Sequence, residues 1–356
     1  MRAHSKMRGG TYRERSAGFT LIELMVALLL GLLVLGAAIG IFISNRQTYA
    51  ATEGLGRVQE NVRFAFELMA RDIREAGGNP CGSHVPLVNV VTDSGGAWWS
   101  DLNSYEAASG ELVNPWAFAL RGFSGDADDG GPEAGDAAAQ RASGTQAIRL
   151  LSADDAVYSV QSHNAAAHAF TLNEAATGLS AGSLVIACDS RQASVFQASS
   201  VAGSVVGHAT GGGGNNCTGN LGLPPPVGAN CAGVQPYAYL PNAMLSRLNA
   251  SEWYVGPNGR GGTSLYQGVI TNAGDGVTTQ EVLEGVAALD FAYLLEGGSS
   301  YVSAATVGSA SSAAWGRVRA IRIDVQLESE AAGGTTDGNP LRRSLSHVVT
   351  LRNRTP

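Results

Sequence analysis

The sequence has little charge and almost no lysine. Charged residues make up 15% of its 356 residues, whereas about a quarter is usual. Lys6 is the only lysine, which excludes chemistry based on a lysine side chain, such as a P-loop or a Schiff base, from the rest of the chain. There are four cysteines and no C-x-x-C pair, and this pattern does not favour a zinc site.

Motifs for catalysis or metal binding are also scarce. The string G-x-S-x-G occurs at 178–182, but it precedes an apolar run, whereas a nucleophile elbow needs a strand, a turn and a helix. Asp126, Asp128 and Gly131 match the start of a calcium loop, but the twelfth position is Ala137 and not the bidentate Glu. We therefore expect no enzyme, no cofactor and no metal site beyond this weak calcium candidate.

The charge is unevenly placed along the chain. Residues 1–18 have a net charge of +4, which leaves −11 for the other 338 residues. An acidic body of this kind is a poor binder of nucleic-acid phosphates, so no nucleic-acid partner is expected. A basic segment in front of an apolar run is typical of a targeting signal.

The apolar run covers residues 19–43, and Glu23 is its only charged residue. Its 25 residues can span a bilayer as a helix. The run is too long for a secretory signal peptide and has no small-residue cleavage site at its end. The positive-inside rule places residues 1–18 in the cytoplasm and the chain after about residue 44 across the membrane. A carboxylate at position 23 either snorkels to the interface or meets a partner that is not lipid.

Residues 44–78 continue as an amphipathic helix. Apolar residues recur there at spacings of three and four, which defines one helix face. Gly77 and Gly78 are a stop signal, so we predict one helix over residues 19–76. The residues of the face are Val58, Val62, Ala65, Met69, Ile73 and Ala76.

Residues 79–356 have short β-like runs between loops rich in glycine. The clearest strand is 317–327, where apolar and polar residues alternate strictly. Further strands are expected at 146–151, 157–161 and 281–295. The predicted fold class is α+β, with the second half of a long N-terminal helix packed on an elaborated antiparallel β head.

The cysteines lie beyond the apolar run, in what we expect to be an oxidising compartment. Four cysteines allow three pairings. Cys217 and Cys231 bracket a loop of glycine and proline, whereas Cys81 follows the helix and Cys188 ends a strand that could return to it. We therefore favour the pairs Cys217–Cys231 and Cys81–Cys188.

The segment from Gly18 to Glu23, GFTLIE, followed by the apolar run, resembles the class III signal of type IV pilins and type II secretion pseudopilins. The resemblance implies that prepilin peptidase cuts between Gly18 and Phe19, which removes residues 1–18, and methylates the new Phe19 terminus. It also implies that Glu23 pairs with the N-terminal amine of a neighbouring subunit during assembly. Residues 19–43, 44–78 and 79–356 are then the transmembrane half of the helix, its periplasmic half and the head.

Several sequence segments beyond the signal resemble the PilW family of type IV pilus assembly proteins. They lie at 59–74, 187–197, 282–286 and 350–354. The resemblance implies a minor pilin of the bacterial inner membrane that joins other minor and major pilins and the inner-membrane assembly platform in a tip or priming complex. The alternatives are a J-type minor pseudopilin of type II secretion and, in another class, a tip adhesin or ligand-binding module.

Overall fold

The structure is a computed structural model. It describes residues 18–82, 85–92, 98–99, 119–125, 130–223, 233–274, 276–309, 312–328 and 342–354. The chain divides into two compact units, and the boundary falls between Arg57 and Val58. Helix α1, Leu21–Glu75, contributes its first part to one unit and its last part to the other.

The first unit contains the apolar part of α1. The stretch Leu21–Arg46 is long and apolar enough to cross a membrane by length and composition, with a mean hydropathy of 2.9. The share of this window that is buried by the rest of the chain is 0%. The long apolar helix predicted from the sequence is therefore confirmed, and it begins at Leu21.

The second unit combines the last part of α1 with the β strands. In the described residues the strands are β1 Leu87–Asn89, β2 Leu120–Phe123, β3 Ala147–Asn164, β4 Ala169–Leu172, β5 Leu184–Cys188, β6 Ala193–Gln197, β7 Ser200–Ala202, β8 Val205–Gly207, β9 Met244–Pro257, β10 Thr263–Ile270, β11 Val277–Glu284, β12 Val286–Leu295, β13 Tyr301–Val302, β14 Val318–Glu328 and β15 Arg342–Thr350. A short helix α2, Ala304–Val307, and 3₁₀ turns at Ala313–Arg317 and Arg352–Arg354 complete the elements.

The strands form two sheets. The large sheet has eleven strands, with β1-β6-β5-β9-β3-β4-β8-β7 in order, β10 and β11 joined through β9, and β2 beside β3. The small sheet has the order β13-β12-β14-β15. Among the described pairs only β1 and β6 run parallel, so the antiparallel character of the α+β head is confirmed.

Strand β3 is one strand, whereas the sequence analysis predicted two. It runs unbroken from Ala147 to Asn164 and pairs with β9 on both sides of a register shift between Ala153 and Val157. The hydroxyl of Ser246 on β9 donates to the carbonyl oxygens of Asp154 and Ala156 at 2.8 and 3.0 Å. The residues between the two predicted strands, 152–156, therefore contain a β-bulge, in which extra residues leave the ladder without ending the strand.

The strand predicted at 281–295 is two strands in two different sheets. β11 belongs to the large sheet and β12 to the small one, and Gly285 between them has a φ of +76°. A Cβ at Gly285 would also lie 2.8 Å from the carbonyl oxygen of Glu328. Only glycine adopts this conformation without strain, so Gly285 is the corner where the chain changes sheets.

The main hydrophobic core lies where α1 meets both sheets. The helix buries one face in it, and the predicted positions Val62, Ala65, Met69, Ile73 and Ala76 are all on that face. The strands contribute large side chains such as Trp253, Ile321 and Ile323. The predicted amphipathic face is therefore confirmed over the residues whose side chains are described, because burial of its apolar side chains removes them from water.

Candidate processing and assembly site

The bond between Gly18 and Phe19 lies outside any helix or strand, just before α1 begins. Phe19 is 81% exposed. A Cβ built on Gly18 would have no atom within 4 Å, and its φ is not in the left-handed region that favours glycine. The described residues therefore do not require a glycine at position 18, and none of them blocks access to that position.

Helix α1 begins with a capping arrangement. The side-chain oxygen of Thr20 accepts a hydrogen bond from the backbone N–H of Glu23 at 3.3 Å. Thr-x-x-Glu is also the sequence pattern of a capping box. In the described residues the Glu23 carboxylate itself has no hydrogen-bond or ion-pair partner. Its negative charge lies in the first turn, where it is favourable to the helix dipole.

The apolar side chains of the first unit are uncovered. Leu21, Ile22, Leu32, Ile41 and Phe42 are each more than 60% exposed. An apolar surface of this length does not persist in water, because its contact with solvent is unfavourable. It must be covered by lipid or by other helices, and the hydropathy of this window suits both.

Asp72 anchors the last part of α1 to the large sheet. Its Oδ2 accepts hydrogen bonds from Ser251 Oγ at 3.0 Å, Trp253 Nε1 at 2.8 Å and Gln267 Nε2 at 3.0 Å. Burial raises the pKa of Asp72 above its ordinary value, while these three hydrogen bonds act in the opposite direction. Sequence analysis missed this residue because it is one polar position among many on the helix.

The C-terminal end of α1 meets the last described residues of the chain. Gly77 N–H donates to the Leu151 carbonyl at 2.8 Å, which directs the chain into the large sheet. The Asn353 side chain donates to the Glu75 carbonyl at 3.3 Å. The Glu75 carbonyl at the helix terminus is thus satisfied by a residue near the C-terminal end of the second unit.

A disulfide ties the segment after α1 to the large sheet. The sulfurs of Cys81 and Cys188 are bonded, across 107 residues of sequence. This is the pairing favoured from the sequence. Of the other favoured pair, Cys231 lies outside the described residues, so Cys217–Cys231 stays a prediction. The calcium candidates Asp126 and Asp128 also lie outside them.

Three histidines gather in a second hydrophobic cluster of the large sheet. His163 Nε2 lies 2.9 Å from His208 Nε2, and His163 Nδ1 accepts the Tyr239 N–H at 3.0 Å. The His168 ring is 5.5 Å from the His208 ring. Burial lowers the pKa of His163 to about 4 and that of His208 to about 3. Within the described residues no group of three side chains is arranged to hold a metal ion.

Comparison with known families identifies two regions. Residues 13–39 match the prokaryotic N-terminal methylation motif, and residues 252–339 match the type IV pilus-assembly protein W, or PilW. The second region contains the PilW-like segment at 282–286, whereas the other PilW-like segments lie outside it. Searches of curated proteins and of solved structures gave no significant match.

The prepilin motif, the uncovered apolar helix and the antiparallel head together define a membrane-anchored protein with the layout of a type IV pilin. The two family matches support a type IV pilus protein of the PilW family. They also support involvement in type IV pilus assembly.

Proposed function

We propose that this chain is a minor pilin that enters a tip or priming complex of the type IV pilus. The observation that carries the proposal is the methylation motif at 13–39 in the same chain as a PilW region at 252–339. In this role prepilin peptidase removes residues 1–18 and methylates Phe19. The remaining chain joins other minor and major pilins at the inner-membrane assembly platform.

The open geometry at Gly18 supports recognition by a peptidase. Since none of the described residues requires glycine there, the residue is best explained by an external requirement at the cut site. Gly36 is a matched control, because a Cβ there would also have no atom within 4 Å. In cells that contain the peptidase, the Gly18→Glu protein should keep its full-length mass. The Gly36→Ala protein should still be shortened by 18 residues. Normal shortening of the Gly18 variant would overturn the processing role.

Glu23 has the second role in the proposal. Its carboxylate, which has no partner among the described residues, would pair with the Phe19 amine of a neighbouring subunit in the filament core. Burial of a carboxylate among apolar helices is favourable only with such a cation. We expect Glu23→Gln to be processed and methylated but absent from sheared pili. Equal incorporation of wild type and variant would exclude this pairing.

The proposed orientation places residues 1–18 in the cytoplasm and the second unit in the periplasm. The basic flank of the apolar helix supports this direction, and a disulfide at Cys81–Cys188 suits an oxidising compartment. Cysteine labelling from outside the inner membrane separates the two orientations, with Ser44→Cys and Ser5→Cys each introduced into the uncleaved Gly18→Glu variant so that position 5 is retained. Labelling at position 5 alone would reverse the assignment.

The match to PilW favours the pilus over a type II secretion pseudopilus. The distinction is tested by deleting the gene and measuring both surface pili and secreted enzymes. Loss of pili with normal secretion supports the proposal, and the opposite result would assign the chain to the secretion system.

A further inference from the structure

A cleft of about 490 Å³ opens beside the disulfide. Its lining comes from three separate segments: residues 80–81 after α1, residues 189–191 after β5, and residues 240–244, which lead into β9. Most of its apolar surface is supplied by Pro80, Leu240, Pro241 and Met244. Leu240 is 64% exposed, although it lies next to fully buried strands. The cleft thus offers apolar surface that the described part of the chain does not cover.

The rim of the cleft holds one positioned cation. Arg191 lies in the turn between β5 and β6, and its Nε donates to the hydroxyl of Tyr237 at 3.2 Å. Its guanidinium carbon lies 5.4 Å from the centre of the Tyr237 ring. These two contacts hold the guanidinium through its Nε and through the face that lies over the Tyr237 ring. They leave its two terminal nitrogens available to a binding partner.

Asp189, two residues before Arg191, forms no direct ion pair with this cation in the described residues. Asp189 accepts the backbone N–H of Arg191 at 2.8 Å and of Gln192 at 3.1 Å on one oxygen, and the Tyr237 hydroxyl at 2.6 Å on the other. Its acceptor capacity therefore serves the turn. In the described residues Arg191 forms no ion pair, although the chain beyond residue 18 carries a net charge of −11. By contrast, Arg149, Arg247 and Arg260 are each paired with a carboxylate.

We propose that this cleft docks an acidic–apolar peptide segment from the head of a neighbouring pilin. An apolar side chain of that segment would cover Leu240 and Met244, and an adjacent carboxylate would meet the terminal nitrogens of Arg191. A guanidinium matches the two oxygens of a carboxylate geometrically. A cation at the rim of an apolar patch selects the charge of the partner, while burial of the patch supplies affinity.

The inference rests on the proposed function, because it takes the partner to be another pilin. The test uses the full-length chain in cells of its own host, with p-benzoylphenylalanine at position 240 as a photo-crosslinker and mass spectrometry of the adduct. The same crosslinker at Val205, an exposed residue on β8, is the control. We expect an adduct at position 240 to a pilin peptide with Asp or Glu beside an apolar residue, and no such adduct at position 205.

Charge changes at Arg191 then test the recognition. Arg191→Glu should lower the adduct yield about fivefold or more, as expected for loss of an ion pair and its replacement by repulsion. Arg317→Glu, at an exposed arginine outside the cleft, should not change it. Tyr237→Phe, which removes only the hydroxyl that Arg191 contacts, should give an intermediate yield.

Three results would overturn the docking proposal: no adduct at position 240, an adduct to a peptide without a carboxylate, or a yield that Arg191→Glu does not alter. Immunoblots of each variant, and Arg191→Gln as a milder change, show whether a lowered yield reflects lost protein. Processing at Gly18 and pilus number are measured in the same cells. Normal processing and piliation with no adduct at position 240 would refute the docking site alone, whereas absent processing would refute the minor-pilin role.

Discussion

Removal of the Asp72 carboxylate should weaken the attachment of α1 to the large sheet. The resulting loss in the free energy of unfolding can be estimated from the hydrogen bonds of Asp72. In Asp72→Ala three donors lose their acceptor. The indole N–H of Trp253 lies on a side chain that is 0% exposed, and an unsatisfied buried donor costs about 1–3 kcal/mol. Ser251 and Gln267 are only half-buried, so water replaces part of their loss. We expect a total loss of about 3 kcal/mol in the free energy of unfolding, allowing for non-additivity.

Asp72→Asn removes the negative charge but keeps a hydrogen-bond acceptor at this position. All three donors meet the same oxygen, Oδ2. An asparagine carbonyl in that position keeps all three hydrogen bonds and has no charge to desolvate. The loss of charge-assisted strength and the relief of desolvation oppose each other. The expected change is therefore within about 1 kcal/mol of wild type.

The pH dependence gives a second readout. The folded pKa of Asp72 is raised above the unfolded value of about 3.9. Stability linked to this group is present below pH ~4 and is lost as the pH rises through the folded pKa. Asp72→Asn should abolish that component, so its stability relative to wild type should improve between acid and neutral pH.

The assay is urea denaturation of the full-length protein in detergent, followed by tryptophan fluorescence. Asp155→Asn is the control, since this carboxylate pairs with Arg71 at 3.3 Å on a side chain that is 82% exposed. It should cost less than about 0.5 kcal/mol. The reasoning is refuted if Asp72→Ala unfolds within 1 kcal/mol of wild type, or if Asp72→Asn is as damaging as Asp72→Ala.

Three further outcomes are expected in the second unit. Burial lowers the folded pKa of His208 to about 3, so the wild type should lose about 1.4 kcal/mol of unfolding free energy per pH unit from this group as the pH falls below ~6.5. His208→Gln should reduce the pH dependence of the urea midpoint. An equal pH dependence in wild type and variant would contradict the burial of His208. The hydroxyl of Tyr293 is buried without a partner among the described residues, so Tyr293→Phe should be neutral or stabilise by up to about 1 kcal/mol. Tyr239→Phe, the matched control, should destabilise, since its hydroxyl meets Ser194 at 2.6 Å. Replacing Cys81 and Cys188 by serine should lower the unfolding free energy by about 4 kcal/mol, given the 107-residue separation; an unchanged melting temperature would refute that contribution.

The parts of the molecule that local sequence determines were predictable. The helix face from Val62 to Ala76 repeats at the helical period, and its burial follows from that spacing. Strand β14 alternates between buried and half-buried residues over most of its length, as predicted for 317–327. The prepilin motif is contiguous, so it could be identified without the fold.

The parts that depend on distant residues were not predictable. The donors to Asp72 lie 179 to 195 residues further along the chain, and no local pattern distinguishes that aspartate from solvated ones on the same helix. The prediction divided β3 into strands at 146–151 and 157–161, but Ser246 on β9 holds the segment between them as a bulge. Gly285 was hidden within a continuous β-like run, because the change of sheet is visible only once both sheets exist.

The contact between Asn353 and Glu75 has a consequence for the order of synthesis. The two residues are 278 positions apart, so at about 5–20 residues per second roughly 15–55 s separate their emergence from the ribosome. Strands β14 and β15, which cover part of the buried face of α1, also belong to this late segment. The apolar face of α1 between Val62 and Ala76 therefore lacks part of its final cover until these late strands have been synthesised.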